Sequence, residues 1–176
     1  MLGFKQNRIF LLPISIVLNV LILPALVLAG QYEVYRIVDG DTFIVKHGSV
    51  KLTIRLVGID APEVSTKKHM QGQPFSQQST QHLSGLILNK TVDVKSYGAD
   101  RNGRTLGEVF LLNGRNVNVE MIKAGLAECY RGKPASGLDM GPYWIAEEEA
   151  KKAGRGMWVL GDKYVSPRDW RRMETD

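Results

Sequence analysis

Three short runs hold the side chains that could do chemistry. The first, Asp39-Gly40-Asp41-Thr42, reads as a hairpin turn. That turn also delivers Asp41 to the rim of a strand, where a carboxylate could serve a hard cation such as calcium, which takes about six to eight oxygen ligands. The run is not an EF-hand loop, because no glutamate stands at the twelfth loop position and strands flank it. The second run is Arg55 to Glu63, with Asp60 five residues after the arginine and Glu63 three residues after Asp60. Read plainly, it is a solvated strand arginine followed by loop charges. Pro62 fixes the local backbone, however, and would hold Asp60 and Glu63 in a defined relation. The third run is Asp100-Arg101-Asn102-Gly103-Arg104, a polar strand connection in which Arg104 could grip two phosphate oxygens in a bidentate fork. Together the runs suit phosphodiester hydrolysis. Attack of water builds charge on the equatorial phosphate oxygens, so the reaction needs a base, cations and orientation. Two aspartates with a metal, one glutamate and two arginines would supply them.

The elements that must position these residues are legible from periodicity and punctuation. Gln31–Asp39, Asp41–Lys46 and Val50–Val57 read as strands, the last with Leu52, Ile54 and Leu56 on one face and Lys51, Thr53 and Arg55 on the other. A helix is expected from about Phe75 to Leu88, strands at Thr91–Ser96 and Thr105–Leu112, and a turn over Tyr97–Gly103. Asn116 is a plausible cap and Gly125 a plausible stop for a second helix. A third starts near Pro142 and ends by Gly154, with Glu147–Lys151 and Glu148–Lys152 spaced as helical ion pairs. The run Glu147-Glu148-Glu149 therefore reads as a solvated helix face. Five strands with a helix between the third and fourth match an OB-type barrel with about three α-helices.

Composition sets the frame. The chain has 176 residues, 44% of them hydrophobic and 23% charged, and a net charge of +5, an ordinary globular balance with a mild lean toward polyanions. One cysteine, Cys129, excludes an intramolecular disulfide, and three scattered histidines argue against a structural zinc site. Lys5 and Arg8 precede an apolar stretch at 9–29 that ends Val27-Leu28-Ala29, a cleavage-site pattern. Residues 1–29 read as a signal peptide, with an uncleaved membrane anchor as the alternative. Both place the rest of the chain outside the cytoplasm, secreted or periplasmic in the first case. Without that segment, 21 basic and 18 acidic residues leave a charge of +3. Residues 30–160 then form the domain, and 161–176 a basic C-terminal tail.

From Tyr32 to Trp158 the chain resembles the thermonuclease, or staphylococcal nuclease-like, domain family. The carriers are Ile37-Val38-Asp39-Gly40-Asp41-Thr42, the run Arg55 to Glu63, Asp100 to Arg104, Val117-Asn118, Gly125-Leu126-Ala127 and Tyr130. The resemblance implies an OB-fold barrel with three helices. It implies calcium held by Asp41, Asp60 and the main-chain carbonyl of Ala61, Glu63 as general base, Arg55 and Arg104 on the phosphate, and Tyr130 beside a nucleotide. It also implies products ending in 3′-phosphate. Expected partners are DNA and RNA, with no obligate protein partner and a monomeric state. Low sequence specificity has its own physical argument. Every catalytic candidate faces phosphate, which carries no sequence information, and Tyr97 and Tyr130 could stack on any base. The rival reading is a non-catalytic OB-fold module that binds nucleic acid or protein.

Cleavage after Ala29 is the expected outcome of the N-terminal pattern, and amino-terminal sequencing of exported protein should begin at or near Gly30. Recovery of only the intact chain, from membranes, would favour the anchor.

Overall fold

The computed structural model describes residues 30–65 and 71–173. The expected signal peptide or anchor at 1–29 lies outside the described residues; among those described, no helix is long and apolar enough to cross a membrane. Strands β1 (Gly30–Ile37), β2 (Thr42–His47) and β3 (Val50–Leu56) follow the expected runs closely. After a two-residue strand β4 (Ile59–Asp60) come helix α1 (Ser76–Ile87) and strands β5 (Thr91–Ala99) and β6 (Thr105–Leu111). The barrel closes in the order β1-β2-β3-β6-β5, all neighbours antiparallel except β3 and β6. This is the OB-fold barrel that the strand pattern predicts. Its interior takes the inward residues of each strand, with Val34, Phe43, Val45, Ile54, Leu56, Val92, Val94 and Val109 all buried. Strand β5 runs past Ser96 into the segment read as a turn, with irregular pairing between Ser96 and Ala99 where Gly98 has φ 93°.

Helices α2 (Val117–Lys123) and α3 (Gly141–Lys152) pack on each other and join the same hydrophobic cluster through Met121, Ile122, Tyr143 and Ala146. Asn116 caps α2 as expected, accepting from the Val119 N–H at 3.1 Å. Between them β7 (Glu128–Cys129) pairs antiparallel with β4, placing Asp60 opposite Glu128. Sequence periodicity could not reveal β4 and β7, because two residues carry no alternation. Beyond α3 the chain does not trail off as a basic tail. A 3₁₀ segment (Gly156–Lys163) leads to helix α4 (Pro167–Met173). Tyr164 anchors the connection, its ring 4.7 Å from that of Trp158 and its hydroxyl donating to Glu128 at 2.7 Å.

One helix-face expectation changes. Glu148 and Glu149 are exposed, but Glu147 is buried. It accepts from the Cys129 N–H at 2.7 Å, Arg131 at 2.8 Å and Lys151 at 2.8 Å. Lys151 is the partner that the i,i+4 spacing predicts; Cys129 and Arg131 come from a distant segment that periodicity cannot see. Cys129 is itself buried, and burial first, then Glu147, pushes its thiol up to about 12, so it packs as a small apolar residue.

Burial opposes the Glu147 charge, but its three donors outweigh burial and hold the carboxyl below the ordinary value of 4.5. The ionised group therefore stabilises the fold above that value, and the contribution is lost as pH falls through the lower folded value. Glu147→Gln should cost about 1–2 kcal/mol at neutral pH, trimmed because Arg131 and Lys151 are partly solvated. The gap from wild type should close in acid, as urea denaturation at several pH values would read out. A gap that stays constant with pH would contradict the assignment.

Candidate active site

Asp41 enters the site from the start of β2. Register sets Thr42 opposite Arg55, and the Leu56 N–H donates to the Asp41 carbonyl at 2.8 Å, which locks the end of β3 to the Asp41 turn. The turn is closed by Asp39, whose Oδ1 accepts from the Asp41 N–H at 2.9 Å. Gly40 serves this turn in an unexpected way. Its φ is not positive; instead a Cβ there would sit 2.0 Å from Ser79 Oγ and 2.8 Å from the Ala61 Cβ. Helix α1 packs directly on the turn, and only a residue without a side chain leaves room for it.

Past β3 the chain bends at Gly58, with φ 79°, and enters β4. Buried Asn118 of α2 holds this bend. Its amide donates to the Val57 carbonyl at 2.8 Å and the Gly107 carbonyl at 3.1 Å, while its oxygen accepts from the Val109 N–H at 3.0 Å. Asp60 therefore leaves a fixed backbone. Glu63 is placed by Gln73, which accepts from the Glu63 N–H at 3.0 Å and donates to the Val165 carbonyl at 2.7 Å.

Seven residues singled out from sequence meet in this region. Asp41, Arg55, Ala61, Glu63, Arg104 and Tyr130 line one cleft of about 660 Å³. Asp60 sits at its edge in an adjoining cavity that Tyr130 also lines. Asp41 and Asp60 are 4% and 2% exposed, far from the loop charges they could have been. Arg55 lies between them, its Nη2 at 2.9 Å from Asp41 and 2.8 Å from Asp60. Its side chain is only 18% exposed, so it is not the solvated strand arginine of the plain reading. Burial works against its charge, but Asp41 and Asp60 outweigh burial and raise its pKa. Asp41 also accepts from Thr42 Oγ1 at 2.8 Å and the Ala61 N–H at 3.3 Å. Arg104 is gripped by Asp100 through Nε at 2.8 Å and Nη2 at 2.7 Å, which aims it along the cleft wall. Tyr97 does not line the cleft; its hydroxyl donates to Glu108 at 2.9 Å.

Sequence reasoning missed Arg171 of α4. Its guanidinium bonds Asp60 at 2.7 and 3.1 Å and also bonds Glu63. Those bonds, Asp60 first, raise the arginine pKa. Burial lifts the Glu63 carboxyl above its ordinary value and Arg171 pulls it back. The only signal was the cluster Arg168, Arg171 and Arg172, which reads equally well as a solvated tail.

The carboxylates of the site are of the hard-donor type that calcium takes, although their oxygens are engaged by Arg55, Arg171 and Thr42. Among the described residues no three His, Cys, Asp or Glu side chains form a metal cluster. Two buried carboxylates offer oxygen donors here, Asp41 in the cleft and Asp60 at its edge. Burial above all, with smaller contributions from Asp39 and Asp60, pushes Asp41 up to about 7, and Arg55 pulls it back only in part. A hard cation beside Asp41 would favour its ionised form, and oxygen donors are the kind such a cation takes.

A sequence model of the family described as staphylococcal nuclease homologue matches residues 53–159. The chain is 37% identical over 161 residues to an Escherichia coli protein named uncharacterized endonuclease, covering 90% of this chain and 95% of that one. It is 35% identical over 150 residues to a Shigella flexneri micrococcal nuclease, covering 80% and 79%. A Haemophilus influenzae protein named uncharacterized endonuclease is 36% identical over 143 residues, covering 81% and 73%.

Removing Arg55 should leave two buried carboxylates without their shared counter-charge. Arg55→Ala is expected to cost about 3 kcal/mol of stability. Adding Asp41→Asn should recover part of it, with a coupling energy above about 1 kcal/mol in a double-mutant cycle by urea denaturation. Strictly additive effects would show that the ion pair does not stabilise the fold.

Proposed function

The chain belongs to the staphylococcal nuclease family, and on that premise we propose that it is an exported, calcium-dependent endonuclease that cuts DNA and RNA with little regard for sequence. Family membership and similarity to proteins named endonuclease make it a phosphodiester hydrolase. The finer reading rests on one observation: Arg55 bridges buried Asp41 and Asp60, and Glu63 and Arg104 face the same cleft.

Asp41, Asp60 and the Ala61 carbonyl would hold calcium. Bound there, calcium would neutralise developing phosphate charge and help to orient the reacting groups. Glu63 is the group suited to take a proton from the attacking water. Its backbone is fixed by Gln73, and burial lifts its proton affinity toward the range in which a general base works. Arg55 and Arg104 would bind the nonbridging oxygens, each held by carboxylates that pre-set its fork. Arg171 now spans Asp60 and Glu63, so Glu63 is available to water only when that bond loosens. Tyr130, 44% exposed, offers a ring on which any base can stack. Single strands and breathing, A·T-rich duplex would be preferred, because a site on a small barrel reaches a splayed strand more easily than a rigid one. Products ending in 3′-phosphate follow from family resemblance. Export rests on residues 1–29 alone.

Cleavage of plasmid and RNA should stop in chelator and return with calcium, while magnesium supports poor turnover because its octahedral demand is stricter. Full activity in chelator would exclude the metal reading. Glu63→Gln should lower turnover roughly 10²- to 10⁴-fold with the circular dichroism spectrum unchanged. Retained turnover would remove Glu63 from the role of base. End-group analysis of digests of random oligonucleotides should find 3′-phosphate and many cut sites.

A further inference from the structure

The C-terminal helix brings a second group of cations to the edge of the cleft. A cavity of about 410 Å³ beside it is lined by Arg101, Arg131, Arg168, Arg171 and Arg172, with Asp60 as its one acidic lining residue. It shares Arg101, Tyr130 and Arg171 with the cleft, so the two are continuous. On the far side a further depression shares Arg131, Arg168 and Arg172 with it. Glu147 offsets part of the Arg131 charge and Asp169 part of the Arg172 charge. Even so, the concentration is strong. Residues 30–176 carry 21 basic and 18 acidic side chains, so without these five arginines that stretch would be net negative.

We infer that this surface is a track for the phosphate backbone of a single nucleic-acid strand running out of the cleft, across Tyr130 and over α4. The inference rests on the nuclease reading above and adds where the strand beyond the scissile bond lies. Three features suit a single strand. Arginines grip phosphate oxygens in a fork at each step. Tyr130 stands where cleft and cavity meet, with its ring available for stacking. A row of charges that reads no base edge fits a substrate accepted without regard to sequence. Arg168 and Arg172 are the diagnostic members, being exposed and lining the second cavity but not the cleft.

The test is binding of a fluorescein-labelled strand of about 16 nucleotides, measured by anisotropy in chelator so that no cleavage intervenes. Arg168→Ala with Arg172→Ala should weaken binding roughly tenfold at 0.1 M salt and lower the salt slope by about 1.4, or about 0.7 for each phosphate no longer neutralised. A strand of about 4 nucleotides, short enough to stay in the cleft, should lose much less. Arg168→Lys with Arg172→Lys should restore part of the affinity, because lysine keeps the charge but not the fork. Lys123→Ala with Lys152→Ala removes the same charge from residues lining neither cavity and should change little. Wild-type affinity and salt slope in the double alanine variant would overturn the track. So would equal losses for long and short strands, or an effect of the lysine control as large as that of the arginine pair. If vesicles rich in phosphatidylserine, but not the strand, lost affinity for the double alanine variant, the surface would belong to lipid and the inference would fall. Cleavage of plasmid by the wild type is scored separately: its absence would sink the nuclease reading, and the length dependence of binding would still decide the track.

Discussion

Two carboxylates are buried, one in the turn before β2 and one on β4 outside the barrel, and one guanidinium holds both. Asp41 and Asp60 could not be taken out of water separately without a counter-charge, since an unpaired buried carboxylate is strongly destabilising. Arg55 meets this constraint for both at once, with the same nitrogen at 2.9 and 2.8 Å. The geometry around it follows. The β2–β3 register sets Thr42 opposite Arg55, and the Leu56 N–H ties the strand end to the Asp41 carbonyl. Asn118 fixes the bend that carries the chain from Arg55 to Asp60. Gly40 lets α1 press on the turn from outside. A pair built this way is worth little as a source of stability, because desolvation consumes most of the Coulombic gain. Its value is positional: three charged groups are held with few alternatives open to them.

Much of this was legible in the sequence because it is local. The alternation of Lys51 to Leu56 marks a half-buried strand, Asn116 and Gly125 bracket a helix, and the spacing of Arg55, Asp60 and Glu63 around Pro62 marks a preset group. What stayed hidden is long-range. Strands β4 and β7 are two residues each and exist only because Ile59 and Asp60 meet Cys129 and Glu128. Glu147 carries the signature of a solvated face along with its neighbours, and only the fold reveals Cys129 and Arg131 beside it. Arg171 is 108 positions from Glu63, on a seven-residue helix whose arginines look like any basic tail. Gly40 reads as a turn glycine in the sequence, but the close packing of Ser79 and Ala61 that excludes a side chain there is long-range and visible only in the fold.

The C-terminal segment is therefore part of the site's frame. Trp158 and Tyr164 pack with tilted rings, Tyr164 reaches buried Glu128 opposite Asp60, Gln73 joins Glu63 to Val165, and Arg171 completes the circuit at Asp60 and Glu63. Each link touches the strand pair or the loop that carries the acids. Displacing α4 would disturb both Glu63 and Asp60, even though α4 lies outside the barrel.

Charge balance suggests why the fold carries two kinds of basic group. The cleft itself is near neutrality. Asp39, Asp41, Glu63 and Asp100 line it with Arg55, Arg101, Arg104, Lys133 and Arg171, and Asp60 lies at its edge. Its arginines are mostly committed to its own carboxylates, which gives them fixed directions but leaves little net field to draw in a polyanion. Precise orientation and long-range attraction make opposite demands on a guanidinium: one wants it paired, the other wants its charge uncompensated. Exposed Arg101 and Arg168, with Arg172 beside them, can supply attraction without loosening the ones that must not move. On the proposed reading, the two tasks fall on adjoining surfaces that meet at Tyr130, which removes the conflict.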